Sequence, residues 1–397
     1  MTELLQFADR YRTIDESRIL KALLLLGWAF TDDTAHALAM TRQALDRWIG
    51  SGLQFHRDRL GQRLFDPVEV VHFLKSRGRQ GQDDFWSSCY VPTSRLLVGE
   101  LGGRDSPHMD ITIGRTFARG AFAPDRTLRL RMPLPLRSRC DYLDVRPWPC
   151  DGGTISISDG RMDVRIRPDG QGDITIGADV FLAPLPDGGP EDDADREIFL
   201  RPSEGLIRIT DPVAALARRL AGTAPTERAV RAFWSFIMDE LINSPVHYDQ
   251  IRADAPLDWV LEAGCYDCQL GAALLIGLCR ARGIPARLVG GHFLYRHSPT
   301  LHYWAEIWTE DAGWRPFDFM SWDLSHGGQD SAWRDHFYGR TDARMITQCL
   351  PRRCVGPVGV AIPATWRVLQ TARGKGVDID MVGLDGASIY TDRVTVI

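Results

Sequence analysis

Between residues 268 and 282 apolar side chains fall on nearly every side of a helix, the pattern of a helix buried all round. Gly283 stands where a left-handed cap is usual and Pro285 forbids continuation, so the stop is well marked and the start lies near Cys268. Downstream, residues 301–320 are aromatic and β-branched on both sides of Glu310-Asp311-Ala312-Gly313, which predicts two antiparallel strands around a glycine-containing turn. Upstream, Asp211-Pro212 opens a helix that ends near Gly222. A second helix carries Val230, Phe233, Trp234, Ile237 and Leu241 on one stripe, the spacing of a core-facing side.

A different period governs the region before these helices. Leu128, Leu130 and Met132 alternate with Arg129 and Arg131, Met162, Val164 and Ile166 alternate with charged residues, and the pairs Ile155/Ile157 and Ile174/Ile176 repeat the two-residue step. Half-buried antiparallel strands follow, separated by turns at Asp151-Gly152-Gly153, Asp159-Gly160 and Asp169-Gly170. A small β-sandwich or barrel over about 88–185 is the natural assembly. Cys140 and Cys150 lie in it as buried or incidental residues.

Residues 35–49 read as two short helices with a turn near Met40-Thr41. A basic loop, the stretch Gly61-Gln62-Arg63-Leu64-Phe65 and a helix starting at Asp66-Pro67 come next, the aspartate as N-cap and the proline in the first turn. This order resembles the winged helix-turn-helix of MerR-like regulators. The resemblance implies a second helix in the major groove, with Arg42 and Arg47 near the duplex and Arg57, Arg59 and Arg63 along the wing. Over residues 35–79 eight Lys or Arg oppose four Asp or Glu, a modest excess for phosphate binding, so a module that docks a protein or carrier is the competing reading.

With 397 residues, 44% hydrophobic and 25% charged, the chain is long enough for two or three domains. A formal charge of −5 argues against nucleic acid as the general partner. The apolar run 22–30 is too short to span a membrane, and no basic stretch followed by an apolar one opens the chain. Eight cysteines spread over this length fit a reducing compartment, so a cytoplasmic protein without a membrane partner is expected.

The candidate chemistry sits on Cys268, His302 and Asp318. A cysteine opening a helix meets free amides and the positive dipole end, which favour thiolate and can hold an oxyanion. Folding the 301–320 hairpin brings Asp318 opposite His302 or one diagonal step away. An acid there fixes the imidazole tautomer, and a thiol needs such a base to become a nucleophile. Cys265 and Cys268 also form a C-x-x-C, so a redox dithiol, or a zinc site completed by Cys349 and Cys354, is an alternative. Cys279 lies about three turns along the same helix and reads as core.

These motifs resemble the bacterial transglutaminase-like proteins, a branch of the papain-like cysteine enzymes. The matching features are the helix ending in Cys279-Arg280-Ala281-Arg282-Gly283-Ile284-Pro285, then His302-Tyr303-Trp304-Ala305-Glu306, then Trp314-Arg315-Pro316-Phe317-Asp318. Residues 339–345 and 389–397 also look family-like. The resemblance implies Cys268 as nucleophile, His302 as base and Asp318 as orienting acid. Two departures stand out: Tyr303 occupies a position usually small, and Phe319-Met320 replaces the usual Pro-Thr, either of which would reshape a substrate channel. Tyr248 and Trp259, in the irregular approach to Cys268, and Tyr303 and Trp304, beside His302, are the candidate substrate contacts. Trp322, Asp323, His326, Trp333, His336 and Tyr338 suit either a substrate rim or the cover of a small core, and His292 and His297 are the remaining histidines near the hairpin.

The expected molecule is α+β: a helical module (1–80), an antiparallel β domain (88–200) and a papain-like catalytic domain (201–397) in which the cysteine helix packs on an antiparallel sheet. The expected activity is a cysteine acyltransferase or amide hydrolase. It would form an acyl-enzyme from a peptide, protein or small-molecule amide or thioester and pass the acyl group to an amine or water, with no metal or cofactor. The rival reading is a DNA-binding regulator whose transglutaminase-like part senses a ligand or partner.

Overall fold

The computed structural model describes residues 13–23, 34–81, 95, 108–118, 127–158, 160–167, 172–185, 193–252, 254–295, 299, 301–350, 364–372, 376–383 and 388–397. Most of the apolar run 22–30, the turn at Asp169-Gly170, His297 and Cys354 lie outside the described residues.

The N-terminal module contains α1 (Glu16–Leu23), α2 (Thr34–Gly50) and α3 (Pro67–Arg79), with three very short strands, β1 (Ile14–Asp15), β2 (His56–Arg57) and β3 (Arg63–Phe65), paired in the order β1-β3-β2. The turn expected near Met40-Thr41 is absent: α2 runs unbroken. No glycine or proline interrupts residues 34–49, and Thr41 is fully buried on the face that carries Ala44, Leu45 and Trp48. Helix α3 begins where the proline allows, with the Asp66 carboxylate accepting the Val68 amide.

Two antiparallel sheets enclose the next core. One holds β4 (Met109–Phe117), β6 (Cys140–Pro147) and β9 (Ile174–Pro184); the other holds β5 (Leu128–Pro133), β7 (Gly153–Ser158) and β8 (Arg161–Ile166). Leu130, Met132, Met162 and Val164 meet Ile111, Ile113, Ile176 and Val180 across that core. The boundary drawn at residue 200 does not separate the sheets. Three late strands, residues 364–372, 376–383 and 388–396, extend the first sheet, and the last pairs with β4 from Tyr390↔Phe117 to Val396↔Ile111. Local alternation cannot reveal a pairing between segments so distant in the chain.

The remaining region carries α4 (Asp211–Ala221), α5 (Thr226–Glu240), α6 (Pro256–Ala263) and α7 (Cys268–Ala281). These pack against an antiparallel sheet made by the strands Ala286–Phe293, Leu301–Thr309, Gly313–Phe317 and Arg344–Cys349. Along α7 every residue from Gln269 to Arg280 is buried, Gly283 takes the left-handed conformation (φ 73°), and the stripe on α5 lies wholly inside the same core. The β region is tied to this sheet by charge. Glu306 receives Arg139 Nη2 at 2.8 Å and Arg287 Nη2 at 2.7 Å, all three residues buried. Deleting that carboxylate would remove the shared counter-charge of two buried cations, a change that costs several kcal/mol.

Candidate active site

Asp267 caps α7: its Oδ1 accepts the Leu270 amide at 2.9 Å, which places Cys268 as the first helical residue. Cys268 is half-buried. The Tyr303 amide acts on its sulfur, so the thiol lies against the peptide bond that joins His302 to Tyr303.

His302 stands near the start of the strand Leu301–Thr309. Its Nε2 lies 2.8 Å from Asp318 Oδ1, an oxygen that also accepts the Met320 amide at 3.0 Å. The hairpin register is Ala305↔Phe317, so Asp318 reaches His302 along the diagonal rather than straight across. Phe293 stacks on the imidazole at 4.4 Å between centroids and fixes its plane. The adjacent strand approaches closely here, because a Cβ on Gly290 would meet the Tyr303 ring at 2.7 Å and one on Gly291 would meet Met345 O at 2.0 Å.

Arg344 was not singled out by sequence reasoning, although it stands in the family-like stretch 339–345. Its Nη2 is 2.6 Å from Asp318 Oδ2, both residues are buried, and its guanidinium lies over the rings of Trp304 (4.6 Å) and Phe293 (4.7 Å). Burial alone would push the Asp318 carboxyl up; the charges of His302 and Arg344 outweigh it and hold Asp318 well below the usual carboxylate range.

The thiol departs from expectation. Burial, then the adjoining Asp267 carboxylate, push Cys268 well above the ordinary thiol value, and the amides of Tyr303 and Gln269 offset only part of this. The helix end that was to favour thiolate is already occupied by its own capping carboxylate. Asp267 Oδ2 is held by the Tyr248 hydroxyl at 2.7 Å, and that hydroxyl also lies 3.1 Å from Gln269 Oε1. Tyr248 thus sits at the cysteine end of α7, tied to its cap.

The other candidate contacts divide. Tyr303 packs toward α7, and its hydroxyl lies 3.4 Å from Gln348 Nε2. Trp259 is half-buried against the helical core. Trp304 is not a substrate contact: it is 1% exposed, packed with Leu136, Val289, Ile346 and Cys349, because alternation turns it away from α7. Phe319 shapes no channel either, since it stacks on Trp234 at 4.5 Å inside the core. Trp322 and Tyr338 are buried with it, which favours the core-cover reading of the 322–338 segment.

His292 is buried where Arg115 and Asp392 act on it. Cys349 is buried in the Trp304 cluster with Arg139 Nη2 3.8 Å from its sulfur. Burial and the Glu69 carboxylate raise Cys265 to about 11. Among the described residues no group of three or more His, Cys, Asp or Glu is arranged to hold a metal ion. In the N-terminal module Arg63 is taken up by Asp46 at 2.8 Å and Arg57 donates to Gly61 O at 2.8 Å, while Arg42, Arg47 and Arg59 are exposed.

A half-buried cysteine at a helix start, against the strand of a histidine that is paired with a buried acid, is the arrangement of a cysteine-enzyme site. Residues 214–319 match the transglutaminase-like superfamily. The chain is similar to the "Putative Cysteine Protease from Cytophaga hutchinsonii", with 14% identity over 73% of this chain and 99% of that one, at a TM-score of 0.38. It is also similar to the periplasmic domain of TgpA from Pseudomonas aeruginosa, with 16% identity over 60% of this chain and 95% of that one, at a TM-score of 0.30. No curated protein matches the chain. Among the described residues no helix is long and apolar enough to cross a membrane.

Proposed function

We propose that this protein is a cysteine acyltransferase or amide hydrolase whose nucleophile is Cys268, whose base is His302 and whose orienting acid is Asp318. The observation that carries the reading is the 2.8 Å pair between His302 Nε2 and Asp318 Oδ1, formed beside the residue whose amide acts on the Cys268 sulfur. Asp318 occupies Nε2, so Nδ1 is the nitrogen left to handle the thiol proton.

The sulfur rests as a neutral thiol, and attack on an amide or thioester carbonyl is coupled to transfer of its proton to His302 Nδ1. The Cys268 amide, at the first position of α7, has no intrahelical acceptor and supports the oxyanion. Collapse breaks the bond to the leaving amine or thiol, which takes the proton from His302 and leaves a thioester on Cys268. Water or an amine then attacks that thioester, giving its proton to His302, and the imidazolium returns a proton to the departing sulfur. No step calls for a metal or cofactor. The substrate is a peptide, protein or small molecule presenting an amide or thioester. Eight cysteines spread over a chain of this length support a reducing, cytoplasmic setting.

Incubation with p-nitrophenyl acetate tests the reading: release of p-nitrophenolate should show a burst of about one equivalent, with the acetyl group on Cys268 by peptide mass spectrometry. Cys268→Ala should abolish the burst and Cys265→Ala should leave most of it. The reverse result would move the nucleophile.

A further inference from the structure

Helix α3 of the N-terminal module lies against the two segments that frame the candidate site. Lys75 Nζ is 2.7 Å from Asp323 Oδ1, with only 6% and 13% of the two side chains exposed, and the ammonium stands 5.4 Å from the centre of the Trp322 ring. Asp323 belongs to the helical turn that follows Asp318. Its own amide donates to Met320 O, and the Met320 amide donates to Asp318 Oδ1. At the other end of α3, Asp66 uses one carboxylate oxygen as the helix cap and the other to hold His247 Nε2 at 2.7 Å. His247 adjoins Tyr248, whose hydroxyl holds the Asp267 cap of Cys268. One turn beyond Lys75, Arg79 donates to Leu241 O at 3.2 Å and its carbonyl accepts Gln329 Nε2 at 2.9 Å. Backbone also comes close, since a Cβ on Gly327 would lie 3.1 Å from Arg79 Cα.

We propose that the N-terminal module is a fixed wall of the active site, in which Lys75 and Asp66 are positioning residues that pin the Asp318–Asp323 turn and the Tyr248 segment in working register. The inference rests on the cysteine-enzyme reading above. A lysine buried in a foreign domain is costly unless it is paired, so the Lys75–Asp323 contact marks a permanent interface and not a passing one. Removing the lysine leaves Asp323 buried without its ammonium. That carboxylate then turns toward water, drawing the 320–324 turn with it and dislodging Asp318 from His302. Misplacing a reacting group by about 1 Å costs on the order of a hundredfold in rate, so a partial shift is expected to cost roughly tenfold. A DNA-reading or carrier-docking module joined only by a linker would have no such effect.

The test is the burst rate constant with p-nitrophenyl acetate, measured on the full chain with circular dichroism and melting temperature recorded for each variant. Lys75→Met is expected to slow the burst roughly tenfold while the protein stays folded at the assay temperature. Lys75→Arg should keep the rate within about threefold, and Lys75→Met combined with Asp323→Leu, which removes both charges, should recover most of the loss. If Lys75→Met fails to fold, Asp66→Asn decides, because the asparagine can still cap α3 and loses only the carboxylate oxygen that lies against His247 Nε2; a few-fold slower burst is expected. Any folded Lys75→Met, or in its absence a folded Asp66→Asn, with the wild-type burst rate overturns the proposal. A wild-type chain with no burst on Cys268 overturns the enzyme reading instead, and this proposal with it.

Discussion

Arg344 and His302 grip opposite oxygens of Asp318, the guanidinium at 2.6 Å and the imidazole at 2.8 Å. Burial opposes ionisation of this acid, and Arg344 adds to the imidazole the permanent charge that helps to offset the cost of holding a carboxylate out of water.

Arg344→Met should therefore damage stability and activity together. A carboxyl held below its ordinary value contributes stability that is fully present above the unfolded value, near pH 4, and is lost progressively as pH falls from there through the lower folded value. In wild type the Asp318 contribution should be intact at pH 5 and above. Without Arg344 the carboxyl is lowered less, so the acid-side loss is smaller, and stability at pH 7 drops by about 3 kcal/mol. Urea melts from pH 3 to 8 measure both effects; identical pH profiles for the two proteins would remove Arg344 from the argument.

The raised Cys268 thiol gives a spectroscopic expectation. At pH 7 the absorbance difference near 240 nm between wild type and Cys268→Ala should lack a thiolate band, which should emerge only under alkaline conditions. A band already present at pH 6 would mean a preformed thiolate–imidazolium pair and a different first step.

His292 titrates in the other direction from a surface histidine. Burial lowers it to about 4. Between that value and the unfolded value near 6.5 the unfolded chain binds the extra proton, so stability is full above pH 6.5 and falls as pH drops toward 4. The limb amounts to about 3 kcal/mol at most, and His292→Phe should flatten it. Guanidinium melts at pH 4.5 and 7 on both proteins provide the comparison.

DNA binding by the N-terminal module is expected to be weak. Lys75 is engaged by Asp323, Arg63 by Asp46 and Arg57 by a backbone carbonyl, which leaves few cations for phosphates. Any retardation of genomic fragments at 50 mM salt should vanish by about 150 mM. A discrete complex surviving 200 mM salt would restore the regulator reading.

Much of the local structure was legible because local signals decide it. Gly283 and Pro285 end α7, Gly313 turns the hairpin, and the α5 stripe names its buried face. The proximity of His302 and Asp318 was legible too, but not their diagonal register, which depends on where the hairpin hydrogen bonds begin. Arg344 escaped notice because its strand joins the sheet beside Ala286–Phe293, far from its sequence neighbours. Lys75 escaped for a similar reason. A lysine near the basic end of an amphipathic helix reads as solvated until the surface opposite it is known. The break expected in α2 failed because propensity alone permits one continuous helix there, and the buried Thr41 fits inside it.

Pairing β4 with residues 388–396 has a consequence for synthesis. A nascent chain that has emerged as far as Cys349 already carries every residue assigned to the site, yet the sheet beside it still lacks the strand 388–396 that pairs with β4. Competence to react should consequently wait until that strand has been made and has joined β4.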